Sequence, residues 1–201
     1  VKVVSICNVV SSAIARETGR GVYLHAGPEI GVASTKAFTC QVTILLMMAL
    51  KIGRSNRYPL YEGEQFAKWI DNIPKLADEV LNQNEQIKKI AKKIYKQENA
   101  FFIGRSFLYP VALEGALKLK EISYIHAEGY HASELKHGPI ALLEKNTPVI
   151  ALLNDIPGKD KTIGNAEECK ARGASVIAVV TDGDEQTADE FVDKIIVPKC
   201  P

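Results

Sequence analysis

Short apolar runs alternate along the chain with longer segments whose apolar residues recur at helical spacing. The runs predicted as strands cover residues 3–6, 22–25, 99–104, 147–153, 175–181 and 194–197. The predicted helices cover residues 13–18 and 35–52, two stretches within 64–97, one starting near Pro110, residues 163–172 and a short segment before the last strand. Short apolar strands alternating with helices favour a parallel sheet covered on both faces. We therefore predict an α/β fold with three αβα layers and mostly parallel sheets.

An internal repeat is a second feature of the pattern. Residues 175–201 follow the apolar and polar order of residues 2–28 at a constant offset with no gap. Few residues are identical, so any two α/β units could align in this way. If the repeat is real, the chain contains the rear part of one α/β unit and most of a second.

Composition narrows the class of protein. The 201 residues are 46% hydrophobic and 24% charged, and the net charge of +1 argues against a nucleic-acid or membrane surface. The uncharged run at residues 37–50 is too short to span a bilayer, and we predict a core helix there. Four scattered cysteines without a C-x-x-C pair predict reduced thiols and a cytoplasmic protein. The chain opens inside a strand pattern, so we expect it to be part of a larger protein.

The segment from Glu114 to Pro139 concentrates side chains that can handle protons. Glu114, Lys118 and Glu121 are spaced to share one face of a helix. The stretch that follows, which we predict to be a loop, is rich in Tyr, His, Glu and Ser. An ordinary solvated charge ladder is the alternative, and on the residues alone the two interpretations are evenly balanced.

Other candidate sites are weaker. His126 and His131 are five residues apart, which does not fit an H-E-x-x-H metal site, and no G-x-S-x-G elbow for a hydrolase is present. At residues 29–36 a glycine turn precedes hydroxyl side chains, and Ser34 is predicted as the N-cap of the next helix. The free N–H groups of such a helix start attract oxygens of a sugar or a phosphate, although local chemistry alone favours a simple N-cap.

Three stretches carry a resemblance to a known family. They are Ser5-Ile-Cys-Asn-Val, the run Ala-Gly-Pro-Glu-Ile-Gly-Val-Ala-Ser-Thr-Lys-Ala-Phe-Thr from Ala26, and the long run from Ala112 to Pro148. The last contains Leu-Glu-Gly-Ala-Leu-Lys-Leu-Lys-Glu-Ile-Ser-Tyr-Ile-His-Ala-Glu and Glu-Leu-Lys-His-Gly-Pro. Together they resemble the sugar isomerase (SIS) domain of the glutamine–fructose-6-phosphate aminotransferase family. The resemblance is strongest at residues 1–52 and 99–153.

The resemblance implies a fold, a reaction and partners. It implies two flavodoxin-like SIS modules, with residues 1–58 in the rear of the first, 59–87 as a helical connector and 88–201 in the second. The implied reaction converts fructose 6-phosphate and glutamine-derived ammonia to glucosamine 6-phosphate. A glutaminase domain of the full-length chain would supply the ammonia, and the enzyme would be a homodimer without a cofactor or a metal.

The same resemblance suggests roles for five residues. Glu121 matches the base that moves a proton between C1 and C2 of the imine, and Lys118 matches its helper one turn away. His137 matches a histidine that opens the sugar ring and is similar to one donated by the partner subunit. Val32 and Ser34 match positions that contact the sugar.

Several family features have no match in this chain: a Cys-Gly-Thr-Ser turn, a phosphate loop rich in Ser, Gly and Thr, a tail lysine that forms a Schiff base, and the glutaminase. We therefore expect little or no synthase activity from this polypeptide alone. A phosphosugar-binding SIS module of a regulator and a fructosamine-phosphate deglycase are the alternatives. The paired base and lysine favour an enzyme over a regulator.

Overall fold

The computed structural model of the chain describes residues 1–200, so Pro201, the last residue of the predicted repeat, lies outside it. The chain divides into two compact units, residues 1–74 and residues from 75 onward. The division falls within the segment predicted as a helical connector. Each unit is described by itself.

The first unit contains a small parallel βαβ element and two long helices. Its elements are β1 (Ser5–Cys7), α1 (Ala13–Thr18), β2 (Gly21–Tyr23), α2 (Lys36–Ser55) and most of α3 (Leu60–Leu81). Ser12 caps α1 by accepting a hydrogen bond from the Ala15 amide at 3.4 Å, and Gly19 ends the helix in the left-handed conformation with a φ of 62°. Only residues 56–59 separate α2, which runs to Ser55, from α3, which begins at Leu60.

Helix α2 forms as predicted but is not a core helix among the described residues. Ala37 is its only buried residue. Burial of the remaining apolar side chains needs a packed layer, and the first unit has only two strands of three residues each. By length and composition α2 is also the one described helix that could cross a membrane. Core helices of soluble proteins have the same length and composition, so these two properties do not identify a membrane span.

The second unit is built on a five-stranded sheet. Its elements are α4 (Asn84–Ile94), β3 (Asn99–Gly104), α5 (Leu108–Ser123), β4 (His126–His131), two short 3₁₀ helices (Leu135–His137 and Pro139–Leu142), β5 (Pro148–Leu153), α6 (Lys159–Ala171), β6 (Ser175–Thr181), α7 (Glu185–Glu190) and β7 (Asp193–Val197). Every strand pair is parallel, and the order is β4-β3-β5-β6-β7. This is the flavodoxin-like order, so the predicted α/β class and three-layer architecture are confirmed.

Both faces of this sheet are covered, as predicted. On one face Phe101 and Ile103 of β3 join a buried cluster that includes Ala166 of α6. On the other face Phe102 packs in clusters with Ala112 and Ala116 of α5. All six residues of β5, the central strand, are buried, which explains its continuous apolar run.

The predicted repeat is confirmed by the strand register. In the first unit Ser5 pairs with Gly21 and Cys7 with Tyr23. Adding 173 to these numbers gives Ala178 with Lys194 and Val180 with Ile196, which are the pairs that β6 and β7 form. The two βαβ elements therefore have the same spacing and the same register.

Two boundaries in the second unit differ from the prediction. Residues 126–131, predicted to lie in a loop, form the edge strand β4. Helix α6 begins at Lys159, four residues before the predicted start, because Gly158 supplies a left-handed N-cap with a φ of 90°.

Candidate active site

Helix α5, which carries the charged ladder, packs closely against the sheet. The Cβ of any other residue at Gly129 of β4 would lie 2.8 Å from the backbone of Leu113, and a Cβ at Gly115 would lie 2.8 Å from the Phe102 ring. Only glycine permits this approach of helix and strand. Ala112 and Ala116 face the sheet and are buried, which leaves the opposite helix face for Glu114, Lys118 and Glu121.

The ladder predicted from the spacing is formed. The Lys118 Nζ lies 2.6 Å from Oε2 of Glu121 and 3.5 Å from Oε1 of Glu114. Only 19% of the Lys118 side chain is exposed, so this pair is better shielded from water than an ordinary surface ion pair. The hydrogen bond to Glu121, opposed by partial burial, raises the pKa of the Lys118 ammonium above its ordinary value. Lys118 is therefore a cation that fixes one oxygen of Glu121 and leaves the other to accept a proton.

Strand β4 carries a second polar row. His126 Nδ1 lies 3.0 Å from Oδ1 of Asn99, and its Nε2 lies 3.6 Å from Oε1 of Glu128. The Tyr130 hydroxyl donates a hydrogen bond to Oε2 of Glu128. Burial, with that hydrogen bond, raises the pKa of Tyr130 to about 12. Because these side chains bond to one another along one face of the strand, they form a structural row.

His131 points to the other face of β4, as alternation along a strand requires. Its Nδ1 lies 2.7 Å from the Ser133 hydroxyl, which donates to Glu134 at 3.2 Å, and its ring meets the Tyr109 ring edge-on. The serine lies between the histidine and the carboxylate, whereas a hydrolytic triad needs the histidine in the middle. No group of three or more potential metal ligands occurs among residues 1–200.

His137 ends the first 3₁₀ helix and is exposed. Leu135 and Ile140 on either side of it are buried in the cluster that contains Phe101 and Ile103. That cluster lies on the sheet face opposite to α5. In the described part of the chain, no hydrogen bond or ion pair joins His137 to Lys118 or Glu121.

Val32 and Ser34 lie in the first unit, in the segment between β2 and α2. Val32 is 91% exposed. The predicted N-cap role of Ser34 is wrong, because Thr35 occupies that position and makes no side-chain capping bond. Instead Oε1 of Glu29 accepts hydrogen bonds from the Ser34 hydroxyl at 3.3 Å and from the Ala37 amide at 3.2 Å. A carboxylate from outside the helix thus satisfies a free N–H group of its first turn.

Two features of the site were not predicted from the sequence. The alternation of Ala127 and Gly129 with large polar residues has the period of a strand and could have revealed β4. The reach of Glu29 across eight residues to the start of α2 depends on loop geometry, for which the sequence has no periodic signal.

Known proteins similar to this chain include enzymes of amino-sugar synthesis. Over 198 residues the chain is 47% identical to a glutamine–fructose-6-phosphate aminotransferase [isomerizing] of Chlorobaculum tepidum, a match that covers 98% of this chain and 32% of that protein. A protein of the same name from Bacteroides thetaiotaomicron is 49% identical over 181 residues, which is 89% of this chain and 29% of that one. The chain therefore spans about a third of the length of these relatives.

Solved structures agree with the fold. The C-terminal domain of glucosamine-fructose-6-phosphate aminotransferase from Francisella tularensis is 40% identical and superposes with a TM-score of 0.91, covering 97% of this chain and 55% of that one. A glucosamine-6-phosphate deaminase from Thermotoga maritima is 26% identical with a TM-score of 0.70, covering 88% of this chain and 51% of that one. Residues 1–51 and 93–199 match the family model of the SIS domain, and the chain belongs to this family.

Proposed function

We propose that this chain is the sugar-isomerase part of a glutamine–fructose-6-phosphate aminotransferase, which makes glucosamine 6-phosphate from fructose 6-phosphate and ammonia released from glutamine. The observation that carries the proposal is the 2.6 Å contact between Lys118 Nζ and Oε2 of Glu121 on the face of α5 that points away from the sheet. The names of the relatives support the same reaction class.

The ladder suits a proton transfer between two neighbouring carbons. The imine of fructose 6-phosphate acidifies the C–H bonds at C1, and Glu121 removes a proton there and returns it to C2. The ammonium of Lys118 stabilises negative charge that develops on the enolamine oxygen, and Glu114 holds that ammonium from the other side. These groups need no metal and no cofactor for this step.

Ring opening of the sugar is the role proposed for His137. Since His137 and the ladder lie on opposite faces of the sheet, we propose that a second copy of the protein supplies His137 to each site, within a homodimer. Val32 and Ser34 are proposed as sugar contacts. The phosphate site, the Schiff-base lysine and the glutaminase domain would come from other parts of the full-length protein.

The test is Glu121→Gln in the full-length protein. We expect fructose 6-phosphate to bind nearly as well as to the wild type, because the amide preserves the size of the side chain. Incorporation of solvent deuterium at C1 and C2 should fall by at least about 100-fold, the usual contribution of a positioned base. Glu167→Gln is a matched control, because Glu167 pairs with Lys170 at 3.1 Å with the same spacing on α6. Exchange at the wild-type rate in Glu121→Gln would refute the role.

The alternatives differ in their products. A regulatory SIS module would bind phosphosugar and show no exchange in either protein. A fructosamine-phosphate deglycase would exchange protons but would not make glucosamine 6-phosphate from ammonia. We further propose that residues 1–201 alone form little glucosamine 6-phosphate. A coupled assay with fructose 6-phosphate and ammonia tests this. Product formation at a rate near that of the full-length protein would contradict the proposal.

A further inference from the structure

The five-stranded sheet has two edge strands, β4 and β7, and each exposes a row of backbone groups that could pair with another strand. In a parallel strand, alternate residues direct their backbone groups to opposite sides. The Asp182 amide donates to the Val197 carbonyl at 2.8 Å, so Val197 faces β6. The carbonyls of Lys194 and Ile196 therefore point outward from the sheet.

Helix α4 takes up both of these outward carbonyls with side-chain amides. The Gln83 Nε2, at the N-cap of α4, donates to the Ile196 carbonyl at 2.5 Å. Gln86, one turn along, donates to the Lys194 carbonyl at 2.7 Å. At the far end of the same helix face, Lys93 Nζ lies 2.5 Å from Oδ1 of Asp193, which opens the strand. These contacts run along the whole length of β7, where a sixth strand would otherwise pair.

The composition of the two edges explains why only one needs this cover. Strand β7 contains Ile195, Ile196 and Val197, three consecutive β-branched residues of high strand propensity, which favour pairing with other chains. Strand β4 carries Glu128 and Gly129 instead, and charge and glycine both discourage strand addition.

We propose that the β7 edge is a latent strand-pairing surface for a second copy of this chain, kept closed by Gln83 and Gln86. Removal of both amide donors opens the two carbonyls to an incoming strand. The incoming strand is the β7 of another molecule, because the same three β-branched residues then meet across the new pair. The resulting contact uses none of the residues proposed for catalysis or sugar binding.

The test compares three versions of the full-length protein by sedimentation velocity over a 100-fold range of concentration. Gln83→Ala/Gln86→Ala removes the donors while alanine preserves the helix. We expect species larger than the wild-type assembly, growing with concentration, and thioflavin T fluorescence above the wild-type level. Gln83→Lys/Gln86→Lys retains a donor at each position and should sediment like the wild type. Gln41→Ala/Gln65→Ala controls for the loss of two helix glutamines, because Gln41 in α2 and Gln65 in α3 belong to the first unit.

Sedimentation of the double alanine variant like the wild type, with native circular dichroism, would overturn the proposal. Association of the Gln41/Gln65 control to the same extent would also overturn it. If the double alanine variant does not fold, Gln83→Met/Gln86→Met is measured in its place. Methionine has about the length of glutamine, adds no charge to the strand edge and donates no hydrogen bond, so the same two outcomes decide whether the proposal stands.

Discussion

Glu121 and His137 lie on elements that pack against opposite faces of one five-stranded sheet. Helix α5 packs through Ala112 and Ala116 against Phe102, whereas Leu135 and Ile140 flank His137 and pack with Phe101. One chain therefore does not bring the proposed base and the proposed ring-opening group into contact. This separation makes the role of a second copy directly measurable.

Mixed dimers of Glu121→Gln and His137→Ala test whether the site is shared. Each variant alone should be inactive on the cyclic sugar. If a site takes Glu121 from one copy and His137 from the other, random mixing restores one intact site in half of the dimers, or about 25% of wild-type activity. The measurement is glucosamine 6-phosphate formation after co-refolding. Absence of recovery, with dimer exchange verified by size, would place both residues of a site on one chain.

Tyr130 should ionise above the ordinary tyrosine pKa of about 10. Because burial and the bond to Glu128 raise the pKa of Tyr130 to about 12, the folded state favours the neutral phenol. Its contribution to stability is fully present below the ordinary tyrosine pKa of about 10 and is lost as pH rises towards 12. Ultraviolet titration should show one late tyrosinate that disappears in Tyr130→Phe. An unchanged titration curve in that variant would contradict the assignment.

Asp184 should make the second unit sensitive to acid. The Lys159 Nζ lies 2.9 Å from its Oδ2, and this hydrogen bond lowers the pKa of Asp184 below its ordinary value of 3.8. Stability from the pair is therefore present above pH 3.8 and is lost as pH falls through the lower, folded-state value. Urea unfolding of Asp184→Asn should depend less on pH below 4 than the wild type does, while the exposed Asp160→Asn should change that dependence little.

Two variants of Asp184 separate the contribution of its charge to stability from that of its N-cap hydrogen bond. Asp184 is the N-cap of α7 and accepts a hydrogen bond from the Thr187 amide at 3.3 Å. Asparagine retains that acceptor and alanine does not, so Asp184→Ala should cost about 0.5–2 kcal/mol more than Asp184→Asn at neutral pH. Equal unfolding free energies for the two variants would show that the cap contributes nothing.

Two glycines should respond to alanine in opposite directions. At Gly129 the new Cβ would lie 2.8 Å from the Leu113 backbone, so Gly129→Ala should destabilise the protein by about 1–3 kcal/mol. At Gly164, in the middle of α6, a Cβ meets nothing within 4 Å, and Gly164→Ala should stabilise by about 0.5–1 kcal/mol. Denaturant unfolding of both variants gives the comparison, and the same sign for both would contradict the packing described for α5.

What the sequence predicted well was local and periodic. Apolar runs located the buried strands, and the spacing of Glu114, Lys118 and Glu121 predicted a ladder whose contacts are formed. The class of sheet followed from the alternation of strands and helices. These signals depend on neighbouring residues within a few turns or along one strand.

The missed features depend on contacts between distant segments. Gln83 donates a hydrogen bond to the carbonyl of Ile196, 113 residues away, and the periodicity of α4 does not predict this bond. The six residues of β4 are more polar than a buried strand, because an edge strand needs burial on only part of its surface. Whether Glu121 and His137 can come into contact depends on which face of the sheet each connection crosses. The composition of the chain does not predict that face.

The equal register of the two βαβ elements has a practical consequence for building hybrids of this protein. Residues 5–23 and 178–196 can be exchanged without inserting or deleting a residue, since Ser5 opposite Gly21 corresponds to Ala178 opposite Lys194. The exchange has to preserve partners, however, because a Cβ at position 21 would lie 2.2 Å from the Ser5 hydroxyl oxygen. A transplanted strand therefore keeps its conformation only when the residues that pair with it on the neighbouring strand are transplanted as well.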